Sequence, residues 1–463
     1  MGVKPTTQQA YQLMHDGILA LARAERAGIR LDLDYVRRKQ RQLARRIEAE
    51  EQNFLNSKIG KGWQKKLGGK EINLKSSVQL GNYLYDELGY KAIKKTPSGK
   101  GSTDEEALRK LDVPELNGLL YARKLKKMND YLDLFYREQV DGYIHPVFNL
   151  HFARTYRSSS DSPNFQNIPK RDPEAMKITR GALYPRPGHQ LIELDYSGLE
   201  VRIAACYHKD KNMLNYINDP SSDMHRDMAM QIFKMDSFDK SFESHYAMRQ
   251  AAKNGFVFPQ FYGDYYKNNA LGICNDWIKL PQGTWKANTG IQMFSDDPDF
   301  FISDYLRSRG LKSFKAFENH LQDIEYDFWN NRFSDYARWK ERWWRKYQKN
   351  GFIDMKTGFR CTGVMSRNDC TNYPVQGAAF HCLLWSFIHL DEIMRREQWD
   401  SRLIGQIHDS IIIDVLPSEL DHVKEVAHKV TCEYLPLEWK WIIVPLEIEI
   451  DIHPVDGSWA EKL

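Results

Sequence analysis

Two short apolar runs, each ending beside an aspartate, constrain this chain more than any other feature. LIELD closes on Asp195 and is followed at once by YSGLEVRIAACYH, whose apolar residues recur at helical spacing, so the first carboxylate sits at a strand end. LIGQI and IIIDV flank His408-Asp409-Ser410, the arrangement of a tight hairpin with a second carboxylate on its turn. Between them lies a mostly helical stretch to about Lys349, broken by an irregular segment from Leu280 to Asp297. Farther on, PLEIEIDIHP alternates Leu446, Ile448, Ile450 and Ile452 with Glu447, Glu449 and Asp451, the period-two pattern of a half-buried strand. Helices, a strand with an acid, a large helical insertion and a hairpin with an acid predict an α+β fold. Its sheet, assembled from sequence-distant strands, would bring Asp195 and Asp409 together.

The 463 residues have room for two or three domains at roughly 150 residues each, or for one composite domain around a cleft. Hydrophobic content of 42% with 13% aromatics excludes a disordered chain, which could not bury enough apolar surface to offset ordering entropy. The 66 Lys and Arg against 62 Asp and Glu leave +4, so a polyanion site must come from local clustering. Six scattered cysteines without a CxxC pair indicate a reducing compartment rather than a disulfide scaffold. The N-terminus lacks the apolar stretch of a secretory signal, and runs such as LLWSFIHL fall well short of the ~20 residues of a membrane span. A cytoplasmic setting without a membrane partner is expected. The opening Met-Gly-Val-Lys-Pro-Thr fits an acylation pattern too short to carry weight.

Local clustering is present. Residues 8 to 52 read as two helices around the extended break GIRLDLDY, with Gly28 stopping the first and Asp32 or Asp34 capping the second. From Val36 to Lys70, eleven Lys or Arg stand against three Glu. A second cluster, Arg123, Lys124, Lys126 and Lys127, follows the loop TPSGKGST. Each is a solvated helix face or a phosphate-tracking surface, and two of them in the N-terminal third favour a polyanion partner. FWNNRFSDYARWKERWWRKYQKN interleaves aromatics with Arg and Lys, which suits base stacking beside phosphates or, at helical spacing, a core-facing stripe.

Two aspartates on adjacent strand ends suit two-metal phosphoryl transfer, in which divalent ions roughly 3.5 to 4 Å apart serve the attacking and leaving oxygens. Oxygen ligands favour Mg²⁺. In MRQAAKNGFVFPQFYG, Arg249 and Lys253 stand four apart on one helix face, where Arg can grip a polyphosphate by a bidentate fork and Lys as a point charge. LDYSGLEVR, this R-x3-K followed by FYG, and QIHDS occur in order with TYRSSSDSPNFQNIP and NYPVQGAAF. As a set they make the chain resemble the DNA polymerase I family, also called family A. The five motifs span roughly 260 residues, and softer similarity runs from AERAGIRLDLDYV to VPLEIEI.

The resemblance implies a right-hand polymerase fold with an antiparallel-sheet palm and a mostly helical thumb and fingers. Its parts would be palm start 1–30, thumb 31–135, palm 136–200, fingers 201–350 with an insertion at about 264–324, and palm 351–463. It implies template-directed addition of deoxynucleotides to a primer 3′ hydroxyl, with primed DNA and deoxynucleoside triphosphates as partners. Asp195 and Asp409 would hold two Mg²⁺ together with the backbone carbonyl of Tyr196. Arg249, Lys253 and His225 would hold the triphosphate, and Glu200 would fill the space of a ribose 2′ hydroxyl. Phe258 would pack on the sugar and Tyr262 beside the template. Arg157, Asn372 and Gln376 would meet the minor-groove side of the primer terminus, where every correct pair presents acceptors, with His408 alongside. Lys124 and Lys127 would grip duplex phosphates from the thumb.

The chain also departs from the family pattern. His-Asp-Glu becomes His-Asp-Ser, so Ser410 removes a third carboxylate for which Glu449 is the candidate substitute. Tyr156 stands where Gly is usual, which puts the backbone path of Arg157 in question, and Gly198 stands where Gln is usual. Arg249 to Tyr262 is one residue longer than usual with Gly255 and Pro259 inside, and a π-bulge near Gly255 would absorb the excess. The stretch from about Asp264 to Ile324 exceeds an ordinary connection and reads as a fingers insertion, for single-stranded template or a partner. The chain starts near where the thumb should begin, which implies no proofreading domain of its own. Either proofreading then belongs to another polypeptide, or the chain is a fragment, or the enzyme works without it; a separate exonuclease or processivity factor is a candidate partner, and a bacteriophage or related replicase in a bacterial or phage-infected cell is favoured. One rival is a single-subunit RNA polymerase, whose motif can read His-Asp-Ser; Glu200 and SSSDSPNFQNIP oppose it. The other is a non-catalytic nucleic-acid-binding relic of the fold, opposed by intact Asp195, Asp409, Arg249 and Lys253.

Overall fold

The computed structural model describes residues 5–68, 72–111, 113–170, 172–293 and 299–463. Lys70 of the first basic segment, Asp297 and the opening Met-Gly-Val-Lys lie outside them. Helix α1 (Thr7–Ala27) stops at Gly28, whose φ of +64° and a carbonyl 2.7 Å from where a Cβ would stand require glycine. Strand β1 (Ile29–Leu31) leads into α2 (Leu33–Asn56), and of the two candidate caps Asp32 takes the role, accepting from the Tyr35 N–H at 2.8 Å. Helix α2 packs along α3 (Leu116–Glu138). Near their joined ends Phe54, Trp63, Leu80, Leu84, Leu108 and Leu119 close a core separate from that of the main body.

The sheet that carries both aspartates has four strands: β2 (Gln190–Tyr196), β3 (Arg402–Ile407), β4 (Ser410–Val415) and β5 (Ile448–Ile452). Their order is β5-β2-β4-β3, antiparallel throughout. Every residue of β2 is buried except Asp195, and β4 is buried at every position. This explains why both read as continuous apolar runs: helices, among them α1, cover the sheet. The hairpin turn is only His408-Asp409, since Ser410 already pairs with Ile407 and Asp195. Strand β5 starts at Ile448, so Leu446 is buried just before it.

Helix α4 (Leu199–His208) follows β2. Beyond it, α5 (Glu243–Ala252) runs through a π-helical turn, Lys253–Val257, into α6 (Phe258–Tyr262), which Gly263 ends at φ +91°. The extra residue is thus absorbed around Gly255, and Pro259 falls in the first turn of α6, where a missing N–H is tolerated. A Cβ on Gly255 would stand 2.6 Å from Ile273 Cγ1. Gly255→Leu is therefore expected to destabilise the fold by about 1–3 kcal/mol; an unchanged Tm would mean that Ile273 simply yields.

In α7 (Ser334–Asn350), Tyr336 and Trp339 are buried with Phe328 and Phe333, so these aromatics are core. The long α8 (Arg367–Arg396) then packs on α4 and on the sheet. The described residues of the stretch read as an insertion are folded, with Ile278, Leu280, Met293 and Ile302 joining the main core. No helix among the described residues is long and apolar enough to cross a membrane.

Candidate active site

Asp195 and Asp409 meet because β2 and the β3–β4 turn end side by side, with the Tyr196 N–H donating to the Asp409 carbonyl at 3.3 Å. Burial, then the charge of Asp195, push the Asp409 carboxyl up to about 6. Burial also raises Asp195, against the opposing pull of Lys170. Two crowded carboxylates form an oxygen donor set short of positive charge, and this fits a divalent cation. Among the described residues no cluster of three or more His, Cys, Asp or Glu completes a ready metal site. Ser410 faces Asp195 in register and hydrogen-bonds it, while Glu449 faces it from β5, exposed and accepting from Ser197 Oγ at 3.3 Å. The Tyr196 side chain points into the core, 2.8 Å from Ser386 Oγ.

A pocket opens beside the pair, lined by Asp409, Glu200, Phe258, Tyr262, Asn372 and Gln376 among others. Glu200, in the first turn of α4, is held by Arg157 Nη1 at 3.1 Å and by the Tyr262 hydroxyl, which donates to it at 2.5 Å. Gly198 precedes that turn at φ +59°, a conformation that glycine adopts without strain. Asn372 Nδ2 donates to the Tyr262 carbonyl at 3.5 Å.

Helix α5 and the π-helical turn after it supply cations. Arg249 forks onto Asp223 at 2.8 and 3.1 Å. Burial raises the Asp223 carboxyl, but the Arg249 hydrogen bond, the Arg226 N–H and the Arg249 charge together outweigh it and leave it lowered. Lys253 Nζ lies 5.4 Å from the Phe258 ring centre. His225 meets the same ring edge-on at 5.5 Å, and burial, then Lys253 and Arg249, push it down to about 4. Its Nδ1 is buried without a hydrogen-bond partner.

Tyr156 adopts φ +57°, the left-handed conformation a glycine would take, so the path to Arg157 is kept. Its ring packs tilted against Phe359 with centres 4.9 Å apart, and its hydroxyl donates to the Arg360 carbonyl at 2.7 Å. His408 is exposed at φ +52°, and its carbonyl accepts from Gln406 Nε2 at 2.6 Å. The second basic cluster is largely engaged within the fold. Lys124 pairs with Asp172 at 2.7 Å and Glu174 at 3.2 Å, Lys126 with Glu51, and Arg123 donates to the Thr103 carbonyl at 2.9 Å; Lys127 is exposed.

Sequence reasoning passed over Lys170. Its Nζ lies 2.6 Å from Glu193 and 3.4 Å from Asp195, with Arg180 bracing buried Glu193 at 3.2 Å. It also passed over Asp223. No spacing rule links either residue to its partner; the only cue was two unassigned charges close to motif segments.

Paired strand-end aspartates on a helix-covered antiparallel sheet, facing a cation-bearing helix across a pocket, mark a hand-shaped α+β protein. The model for DNA polymerase family A matches residues 34–272 and 311–460, and the chain belongs to that family. The unmatched residues between those two stretches fall inside the segment read as an insertion. The chain is 27% identical over 450 residues to DNA polymerase I of Pseudomonas aeruginosa, covering 95% of this chain and 43% of that protein. It is 27% identical over 454 residues to the thermostable DNA polymerase I of Thermus aquaticus, covering 93% and 46%. It therefore spans less than half the length of these relatives. Its fold matches the polymerase domain of Pol1 from M. smegmatis, solved with DNA primer-template and dNTP, at a TM-score of 0.72 and 24% identity, covering 96% of this chain and 70% of that one.

Proposed function

We propose that this chain is a template-directed DNA polymerase adding deoxynucleotides to a primer 3′ hydroxyl. The observation that carries the proposal is the single pocket where Asp409, Glu200, Phe258, Tyr262, Asn372 and Gln376 meet from sequence-distant segments. The DNA polymerase I relatives, and a fold neighbour solved with primer-template and dNTP, support it. The same reading takes 31–135 as the thumb, 201–350 as the fingers and the remainder as the palm.

Asp195, Asp409 and the Tyr196 carbonyl would hold two Mg²⁺, which would offset the carboxylate charge and the charge developing on the reacting phosphate. The primer 3′ hydroxyl gives up its proton to water as its oxygen attacks the α-phosphorus, the bond from that phosphorus to the bridging oxygen breaks, and pyrophosphate leaves. Arg249, preformed on Asp223, exchanges that carboxylate for the triphosphate and keeps its fork filled. Lys253 adds a point charge, while His225, neutral near pH 7, offers an N–H without adding charge. Glu200 occupies the 2′ position and Phe258 packs on the sugar. Tyr262 stands beside the template base, and Arg157, Asn372, Gln376 and His408 line the primer terminus. Lys127, and Lys124 once released from its acids, track duplex phosphates.

Extension of a labelled primer on a longer DNA template with Mg²⁺ tests this. Full-length product from dNTPs, and none from NTPs, is expected. Product from NTPs would make it an RNA polymerase, and salt-sensitive DNA binding without extension would make it a relic.

A further inference from the structure

The exposed face of α7 carries cations that the proposed reaction does not use. The helix holds six Lys or Arg against two acidic residues, in a chain whose total is +4. Arg338, Arg342, Arg345 and Lys349 fall at i, i+4, i+7 and i+11, on one side of the helix and opposite buried Tyr336 and Trp339. They form a ridge roughly 16 Å long. Arg338 is paired with Asp335, and Arg345 with Glu341 at 2.9 Å. Glu341 is shared with Arg367 of α8 at 2.7 Å, which widens the ridge. Arg342 and Lys349 have no ion pair among the described residues, and Lys346 beside them lies over the Trp343 ring at 5.4 Å.

A solvated face explains scattered charges, but this ridge has a direction. Tyr336, in the first turn of α7, lines the same pocket as Tyr262 and Asp409. The ridge begins two residues later and runs away from the pocket to the last turn, where the Tyr347 hydroxyl donates to the Gly363 carbonyl at 2.8 Å. Helix α7 packs on α4 and α8, whereas basic α2 packs on α3, so the two basic faces belong to different parts of the molecule.

We propose that the Arg342–Lys346–Lys349 ridge of α7 binds the phosphates of the single-stranded template ahead of the pocket. This rests on the polymerase function proposed above. A polyanion complements a face with this charge excess, and at roughly 3.4 Å per stacked nucleotide the ~10 Å from Arg342 to Lys349 spans about three phosphates. The contacts are to the backbone and read no sequence.

The test uses the whole chain and two fluorescent primed templates with identical duplexes, one ending a single nucleotide past the primer and one carrying about fifteen more. Wild type is expected to bind the longer overhang about tenfold more tightly at low salt, with a log–log salt slope steeper by about 2, as three single-strand phosphate contacts give. Arg342→Ala/Lys346→Ala/Lys349→Ala should abolish that difference, leaving affinity for the short substrate and the melting curve unchanged. Equal wild-type affinity for the two substrates, or equal weakening of both in the variant, would overturn the proposal. Extension of the short substrate, run in parallel, separates the two ideas. Extension without an overhang effect overturns only the ridge, whereas neither binding nor extension overturns the polymerase function and the ridge with it.

Discussion

Asp409→Asn is expected to cut primer extension by about 10³-fold or more, because the metal-binding charge is worth several kcal/mol and each ~1.4 kcal/mol is a factor of ten. Binding of primed DNA should stay near the wild-type level, since Asn keeps the size of the side chain and loses only its charge. The same substitution should make the metal-free protein more stable. Burial and Asp195 hold the Asp409 carboxyl at about 6, above its usual 3.8, so the folded chain disfavours the ionised form. A raised carboxyl leaves stability intact below the unfolded value and removes it as pH rises through the folded one. Near pH 8 in chelator, Asp409→Asn should therefore gain on the order of 1–3 kcal/mol, fading as pH falls from about 6 toward 4. Denaturant melts at both pH extremes check this. An equal gain at each would remove the electrostatic account, and extension above a tenth of wild type would remove Asp409 from the chemistry.

The parts of the site that the sequence made legible are those with a local signature. A short apolar run, a hairpin turn and a cap are written within a few residues, as at Asp195, His408-Asp409 and Asp32. The one-residue excess between Arg249 and Tyr262 was likewise enough to anticipate the π-turn at Gly255. Partnerships across the fold have no such signature. The Glu200 clamp joins Arg157 and Tyr262 from segments far apart, and Asp223 waits opposite Arg249. Counting charges from Arg123 to Lys127 overstated the free basic surface because Asp172, Glu174 and Glu51, which neutralise it, lie on other helices. On α7 the interleaved pattern left a stacking strip and a core-facing stripe both open, and burial decides for the second: the helix turns Tyr336 and Trp339 inward and the cations outward.

Glu200→Ala is expected to admit ribonucleotides, reducing the preference for dATP over ATP in kcat/KM by about 10²-fold or more. The carboxylate is well suited to exclude a 2′ hydroxyl because it cannot swing aside: Arg157 at 3.1 Å and the Tyr262 hydroxyl at 2.5 Å hold one oxygen each. Tyr262→Phe releases one of those oxygens and should relax selectivity by only about tenfold, in line with one hydrogen bond to a charged group. Glu200→Gln separates volume from charge, since the amide fills the same space while weakening the Arg157 pair. If occupied space excludes the hydroxyl, Gln retains most of the discrimination that Ala loses. If Gln falls as far as Ala, the charge is the barrier, and an unchanged ratio in all three variants would shift discrimination to Phe258, which lines the same pocket.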